Sequence, residues 1–429
     1  MPTDRLVAAL SVLLVLLFAT TVRAQAPESE LPSEPGQRDG VLPNAPAGGF
    51  LLPDLPAAGI APLRVETPAF TLKPGLVLIG DFTAVGQDAA SLAQVGPQDD
   101  RWQVRAARLM LRGGIGQSYR VGYLVAGEYK GFESDPLTTW NMTDVSLSFP
   151  IGSEATQLTI GKTKQTHVYE MVGDAANLAQ MERVLNPFFV SRSVGARFAH
   201  VTVDRRSTLA FGVYNDSWAG SASPSNNGTD LTARMTHAAW LEDRGRRLLH
   251  LGVSVRRADN DSGMLRYRGR PESNVIDDYV DTGPFAASHA WHGGLEALWQ
   301  DGAVSVLGEY VRAWVRAPES GNPVFQGAYV TATWVMTGDS RPYDPVAGYA
   351  RRIHPGGTAG ALEWVGRLSR VDLEDAGLNG GRFTKTFVGA NWWATSRWRI
   401  AGGWGRTWLD RRGTTGVTDS LLFRMQWVY

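Results

Sequence analysis

The stretch that decides the fold is Leu421-Leu422-Phe423-Arg424-Met425-Gln426-Trp427-Val428-Tyr429. Side chains of an extended strand alternate between its faces. Phe423, Met425, Trp427 and Tyr429 therefore share one face, and Arg424 and Gln426 the other. An apolar, aromatic face backed by a face carrying a guanidinium suits a strand between lipid and water. The edge strand of a soluble sandwich has the same alternation, so the remaining residues must choose between the two.

Working back from this strand, period-two texture persists as far as Gly75. Strand-length stretches fall at 75–84, 102–113, 118–130, 140–150, 155–164, 192–203, 207–215, 230–241, 247–257, 287–300, 303–316, 323–337, 358–373, 382–394, 397–410 and 418–429. Each is about the ten residues that a tilted membrane strand needs. They make an even set of sixteen, as an antiparallel barrel with both ends on one side requires. Tight joints, among them Pro150 to Ser153, Asp204-Arg205-Arg206 and Gln300-Asp301-Gly302, alternate with the long connections 85–101, 131–139, 165–191, 216–229 and 258–286. The exception is 338–357, a long segment where a short turn belongs. Long irregular segments inside a compact fold are usually functional or disordered.

The faces carry a charge pattern. Leu109 and Leu111 oppose Arg108, Met110 and Arg112. Tyr119, Val121, Tyr123 and Val125 oppose Arg120, Glu128 and Lys130. Leu249, Leu251, Val253 and Val255 oppose His250, Ser254 and Arg256, and Trp398, Ile400, Trp404 and Trp408 oppose Arg399. A charge facing hydrocarbon costs about 2–4 kcal/mol at mid-depth, so in a barrel the cationic face must look into a water-filled lumen. Guanidinium groups present paired donors to phosphate or carboxylate oxygens, and low-dielectric walls focus their field on anions. The alternative use of these arginines is internal pairing with Glu128, Glu296, Glu309 and Glu363. Lys162 and Lys164 share the phase of Leu158 and Ile160, which predicts a bulge or strand end there.

Composition agrees with export. Residues 1–24 read as a signal peptide: Arg5, an apolar run from Leu6 to Thr21, then Val22-Arg23-Ala24 at the cleavage position. Residues 25–73 are rich in Pro and Gly and read as a periplasmic tail, leaving 74–429 as the barrel domain. Formal net charge is zero, so any preference for anions must arise from local placement. There are no cysteines, 48 glycines and 15 tryptophans. Glycine fits barrel bends, and tryptophan fits membrane-interface girdles. An exported soluble protein with Trp-lined carbohydrate or catalytic sites has the same composition.

In order along the chain, further stretches carry a family resemblance. These are Val104-Arg105-Ala106-Ala107-Arg108-Leu109, Gly161-Lys162-Thr163-Lys164, Met181-Glu182-Arg183-Val184-Leu185 and Ser191-Arg192-Ser193-Val194-Gly195. Trp240-Leu241-Glu242-Asp243, Arg268-Gly269-Arg270-Pro271-Glu272, Gly308-Glu309-Tyr310 and Thr337-Gly338-Asp339-Ser340-Arg341-Pro342-Tyr343-Asp344 continue the series. The region 70–429 resembles the phosphate-selective porin O and P family. The resemblance implies an all-β, closed, sixteen-stranded antiparallel transmembrane barrel with an inward-folded third loop, assembled as a homotrimer in outer-membrane lipid. It implies diffusion of small anions such as phosphate, with no chemistry and no cofactor. It implies a constriction near Lys162, Lys164, Arg183 and Arg192, with Arg108 on the matching strand, and tucks 338–357 into the pore from the periplasmic side. The cationic-face reading adds Arg112, Arg120, Lys130, Arg197 and Arg256 to the anion pathway. Where the family's third loop carries a Pro-Phe pair after the lysine, this chain has Gln165-Thr166-His167, and it has only five lysines. A general porin, or one for polyphosphate or carboxylates, is the alternative.

Other motifs carry less. Asp281-Thr282-Gly283 has an aspartic-protease triplet but no second copy to share a proton. His289 and His292 point to opposite faces of a strand. Asp259-Asn260-Asp261-Ser262-Gly263 lacks the downstream glutamate of a calcium loop. No metal site, nucleophile elbow or nucleic-acid signature is present.

Overall fold

A computed structural model describes residues 63–116, 121–131, 139–215 and 228–429. Residues 1–24, read above as a signal peptide, most of 25–73 and Arg120 lie outside the described residues.

Sixteen long strands form the wall. They are β1 (Phe70–Gln87), β2 (Arg101–Ile115), β3 (Val121–Tyr129), β4 (Trp140–Ile151), β5 (Ser153–Lys164), β6 (Arg192–Val201), β7 (Ser207–Asn215) and β8 (Thr229–Glu242). The second half comprises β9 (Arg247–Asp259), β10 (His289–Asp301), β11 (Val304–Arg316), β12 (Val324–Val335), β13 (Ala361–Asp375), β14 (Leu378–Trp393), β15 (Trp398–Arg411) and β16 (Thr414–Val428). Every neighbour is antiparallel, and β16 pairs back onto β1 from Val77↔Val428 to Gln87↔Thr418, which closes the barrel. Closure leaves no unpaired sheet edge, the condition for crossing a bilayer with strands. β1 begins five residues earlier than the patterning predicts, because Lys73 and Pro74 pair with Arg112 and Leu111.

The faces divide as the terminal strand predicts. Leu421, Phe423 and Met425 are exposed, whereas Arg424 and Gln426 are buried. Leu251, Val253 and Val255 point out, and His250, Ser254 and Arg256 point in. Tryptophans mark both ends of the outer band. Trp102, Trp140, Trp291, Trp314 and Trp408 lie toward the long-loop end, and Trp240, Trp334, Trp364, Trp392 and Trp398 toward the other. Trp334 pairs with Val304, ten residues before Trp314 on β11. At about 3.3 Å per residue and a tilt of about 40°, the girdles are about 25 Å apart, the height of the apolar band of such barrels.

The conflict of phase at Lys162 is resolved at Gly161. Its φ is +123°, and a Cβ there would sit 2.2 Å from the Val145 carbonyl oxygen. Only glycine fits this backbone. The irregularity moves the buried phase from Thr159 to Lys162, while Ile160 faces outward.

One expectation needs adjustment. The inward face of β11–β14 is not polar throughout: Val311, Ala313, Val315, Phe325, Val371, Leu373 and Phe383 form an apolar cluster. Leu265, Tyr267, Val275, Ile276 and Tyr279 of the β9–β10 connection pack into it, as do Val184, Leu185 and Phe188 of the β5–β6 connection. The β9–β10 connection carries two miniature ladders, Met264–Leu265 with Phe285–Ala286 and Arg268–Gly269 with Val280–Asp281.

Candidate functional site

The segment 165–191 reaches most of the wall through buried polar contacts. Its one-turn helix α1 (Tyr169–Val172) presents two backbone N–H groups to Glu309 of β11, from Tyr169 at 2.5 Å and Glu170 at 3.2 Å. The Glu170 carboxylate accepts from the N–H groups of Val184 (3.1 Å) and Leu185 (3.0 Å), which closes the segment on itself. It also accepts from Arg367 of β13 at 2.6 Å. Glu182 pairs with Arg105 of β2 and, at 2.8 Å, with Arg424 of β16. Arg424 in turn grips Asp81 of β1 through two bonds of 2.7 Å. Burial raises the Glu182 carboxyl, but Arg105 and Arg424 outweigh it and hold it at about 2.

The two other long connections meet this segment. From 338–357, Ala350 N–H donates to Tyr169 Oη at 2.8 Å, and Arg341 donates to the Asn177 carbonyl at 2.8 Å and to Glu363 through two bonds of 2.7 Å. From the β9–β10 connection, Glu272 accepts from Arg367 at 2.5 Å and lies 3.7 Å from Lys385. Arg367 thus bridges Glu170 and Glu272 while stacking 3.8 Å over Tyr329.

Of the residues predicted from sequence, four converge. Lys164 donates to the carbonyls of Val172 and Gly173, both at 3.2 Å. Arg183 donates to the carbonyls of Glu170 (2.5 Å) and Gly173 (2.9 Å). Gly173 O therefore accepts from two basic side chains. Beside them, Arg108 pairs with Glu128 (2.8 Å) and Asp174 (2.9 Å), and Arg192 with Asp144 (2.9 Å). Burial would raise the Asp174 carboxyl, but Arg108, Lys164 and Arg192 hold it well below the usual range. Asp174 therefore stays charged.

The remaining predicted residues are spread around the wall. Lys162 is buried on β5 and donates to Asn141 at 3.1 Å. Arg197 is buried on β6 beside Thr159 (3.5 Å). Arg256 is fully buried and spent on Asp230, at 2.9 and 3.1 Å. Arg112 is half-buried on β2, and Lys130 follows β3. Three of the four internal pairings foreseen for the acids occur in kind: Glu128 with Arg108, Glu296 with Arg234 and Glu363 with Arg341. Glu309 instead takes backbone donors and the Tyr329 hydroxyl.

The sequence reading missed Glu170, Glu272 and Arg367. Arg367 does follow the inward phase of β13, a signal that parity could have supplied. The departure Gln165-Thr166-His167 also finds its place. Gln165 donates to Asp230 (2.6 Å), Thr166 meets Thr232 (3.1 Å), and the His167 ring lies 6.1 Å from that of His292. These residues tie the start of the segment to β8 and β10. His289 is on the outward phase, and Asp281, at the end of the Val280–Asp281 ladder, is engaged by Arg266.

Comparison with known proteins agrees with this architecture. Among solved structures, an anion-selective porin from Comamonas acidovorans superposes with a TM-score of 0.54 at 11% identity, covering 84% of this chain and all of that one. The outer membrane channel DcaP of Acinetobacter baumannii gives 0.53 at 11%, covering 86% and 100%. OmpT of Vibrio cholerae gives 0.52 at 10%, covering 85% and 99%. A Caulobacter vibrioides protein described as uncharacterized is 28% identical over 228 residues, 48% of this chain and 42% of that protein. The model of the family "Phosphate-selective porin O and P" matches residues 85–429. The chain belongs to that family and is an outer-membrane porin, a channel rather than an enzyme.

Proposed function

We propose that this porin conducts small anions, with phosphate as the principal substrate, past a constriction in which segment 165–191 is folded into the lumen. The observation that carries the reading is the bonding of Arg183: among the described residues, its hydrogen bonds end on main-chain carbonyls. A carbonyl orients a cation without neutralising it. In a low-dielectric wall such a cation attracts anions and replaces part of their hydration shell. Lys162 and Lys164 extend this path, and Arg112, Arg120, Lys130 and Arg197 feed it, whereas Arg108, Arg192 and Arg256 are held by carboxylates. The porin acts as a homotrimer in outer-membrane lipid after loss of the export signal 1–24, with 25–73 as a periplasmic tail.

A second reading, a weakly selective general porin, draws support from the saturation of Arg234, Arg256, Arg341 and Arg424 by carboxylates. Single-channel recording in chloride with added phosphate separates the two. Anion-favouring reversal potentials and a saturable phosphate block, weakened in Arg183→Ala and Lys164→Ala, support the anion path. Cation-favouring or null selectivity refutes it.

A further inference from the structure

We propose that the outward face of β9–β11, at the long-loop end, is a docking surface for a phosphate-bearing lipid of the outer leaflet. Ladder pairing aligns Arg257, Trp291 and Trp314 in one row across β9, β10 and β11. One step toward mid-membrane, Arg312 pairs with Gly293, and one pair of residues above the Trp row, Arg316 pairs with His289. Arg312, Trp314 and Arg316 share the exposed phase of β11. The Arg257 guanidinium lies 5.9 Å over the Trp291 ring, and that of Arg312 lies 5.6 Å over Trp314. The patch combines rings suited to the headgroup boundary with guanidinium forks suited to phosphate oxygens.

Charge bookkeeping selects the occupant. Elsewhere on the outer surface near this end, arginines carry carboxylates of their own: Arg370 with Asp372 (3.2 Å), Arg382 with Asp410 (2.6 Å) and Arg406 with Asp419 (2.8 Å). Arg257 has Asp259 at 2.7 Å. Arg312 and Arg316 have no carboxylate within ion-pair distance among the described residues. The ladder row through Arg312 runs on to Gln326, Asp372, Arg382 and Asp410. The acids in that row, Asp372 and Asp410, are already engaged by Arg370 and Arg382. Long loops mark the extracellular end of such barrels, which places the two arginines at the outer-leaflet headgroups. An anionic lipid supplies both the missing charge and acyl chains for Val253, Val255 and Leu295, which are exposed below.

The test uses the intact porin purified in mild detergent and titrated with diphosphoryl lipid A, its phosphate-free counterpart, and inorganic phosphate alone. Retained lipid is read by native mass spectrometry. Affinity for the diphosphoryl lipid falls about fivefold per arginine in Arg312→Gln and Arg316→Gln, about thirtyfold in the double variant. Single-channel conductance is unchanged, because neither side chain faces the lumen. Arg312→Lys retains most of the affinity, which separates charge from packing. Heat-modifiable gel mobility verifies that each variant holds a closed barrel. Equal binding of the phosphate-free lipid, full competition by inorganic phosphate, or unaltered affinity in the double variant overturns the proposal. So does a cross-link from position 312 to a neighbouring subunit.

Discussion

Replacing Arg367 by glutamine tests how the long connections are held against the wall. The guanidinium makes four contacts at once: Glu170 at 2.6 Å, Glu272 at 2.5 Å, the Thr331 hydroxyl at 2.8 Å and the face of Tyr329 at 3.8 Å. The two acids fare differently without it. Glu272 keeps Lys385 at 3.7 Å, so its loss is that of a charge-assisted hydrogen bond, about 1.5–3 kcal/mol. Glu170 keeps only uncharged donors, the N–H groups of Val184 and Leu185 and the amide of Gln180. Leaving it buried without its cation costs about 3–5 kcal/mol. At 1.4 kcal/mol per decade, the population with segment 165–191 detached rises by about two to three and a half orders of magnitude. In planar bilayers Arg367→Gln gives larger single-channel conductance and frequent transitions between current levels, where the parent protein is quiet.

The pH dependence has a definite sign. Burial raises the Glu170 carboxyl above its usual range, against the pull of Arg367 and the Leu185 N–H. Removing Arg367 raises it further. The held conformation then binds a proton that the detached one, near a pKa of about 4.3, releases. The held state of the variant therefore gains stability as pH falls from neutral through the raised value toward about 4.3, and the current becomes quieter. Unchanged conductance and noise in a barrel that still shows heat-modifiable mobility would refute the reasoning.

Other perturbations have distinct signatures. Arg183→Ala removes a cation seated on carbonyls, so it lowers anion selectivity in salt-gradient reversal potentials with little effect on thermal stability. Leu251→Arg puts a guanidinium on an exposed, outward position of β9 and costs about 2–4 kcal/mol at mid-depth, seen as a lower unfolding midpoint in urea. Gly161→Val forces a side chain into the Val145 carbonyl at a φ of +123°. It destabilises the β4–β5 pairing and reduces the yield of heat-modifiable barrel, whereas Gly152→Ala, with open space around it, has a smaller effect.

What the sequence made legible was local. Alternation along a strand placed Arg424, His250, Arg256 and Arg399 inside and Phe423, Leu251 and Trp398 outside. The clash of phases at Lys162 pointed to a bulge or a strand end, because an unbroken period of two puts Lys162 with Ile160. Contacts made by the long connections were not legible. Glu170 and Arg367 are 197 residues apart, and neither lies in a motif that names the other. The buried Tyr267, Val275 and Tyr279 of the β9–β10 connection occur without the alternation that reveals a strand. Membership of the cationic face likewise did not tell Lys164, bonded to carbonyls, from Arg256, consumed by Asp230.

The seam between β1 and β16 joins Val77 to Val428, and Leu76 exchanges backbone hydrogen bonds with Tyr429. The first wall strand to emerge during synthesis thus finds its last partner only when the far end of the sequence has arrived. Until then both margins of a growing sheet offer unsatisfied amides, and the link completed last spans the greatest loop-closure entropy. A translation product truncated by even one strand therefore cannot seal. It remains a sticky ribbon that handling factors and proteases can distinguish from a finished cylinder.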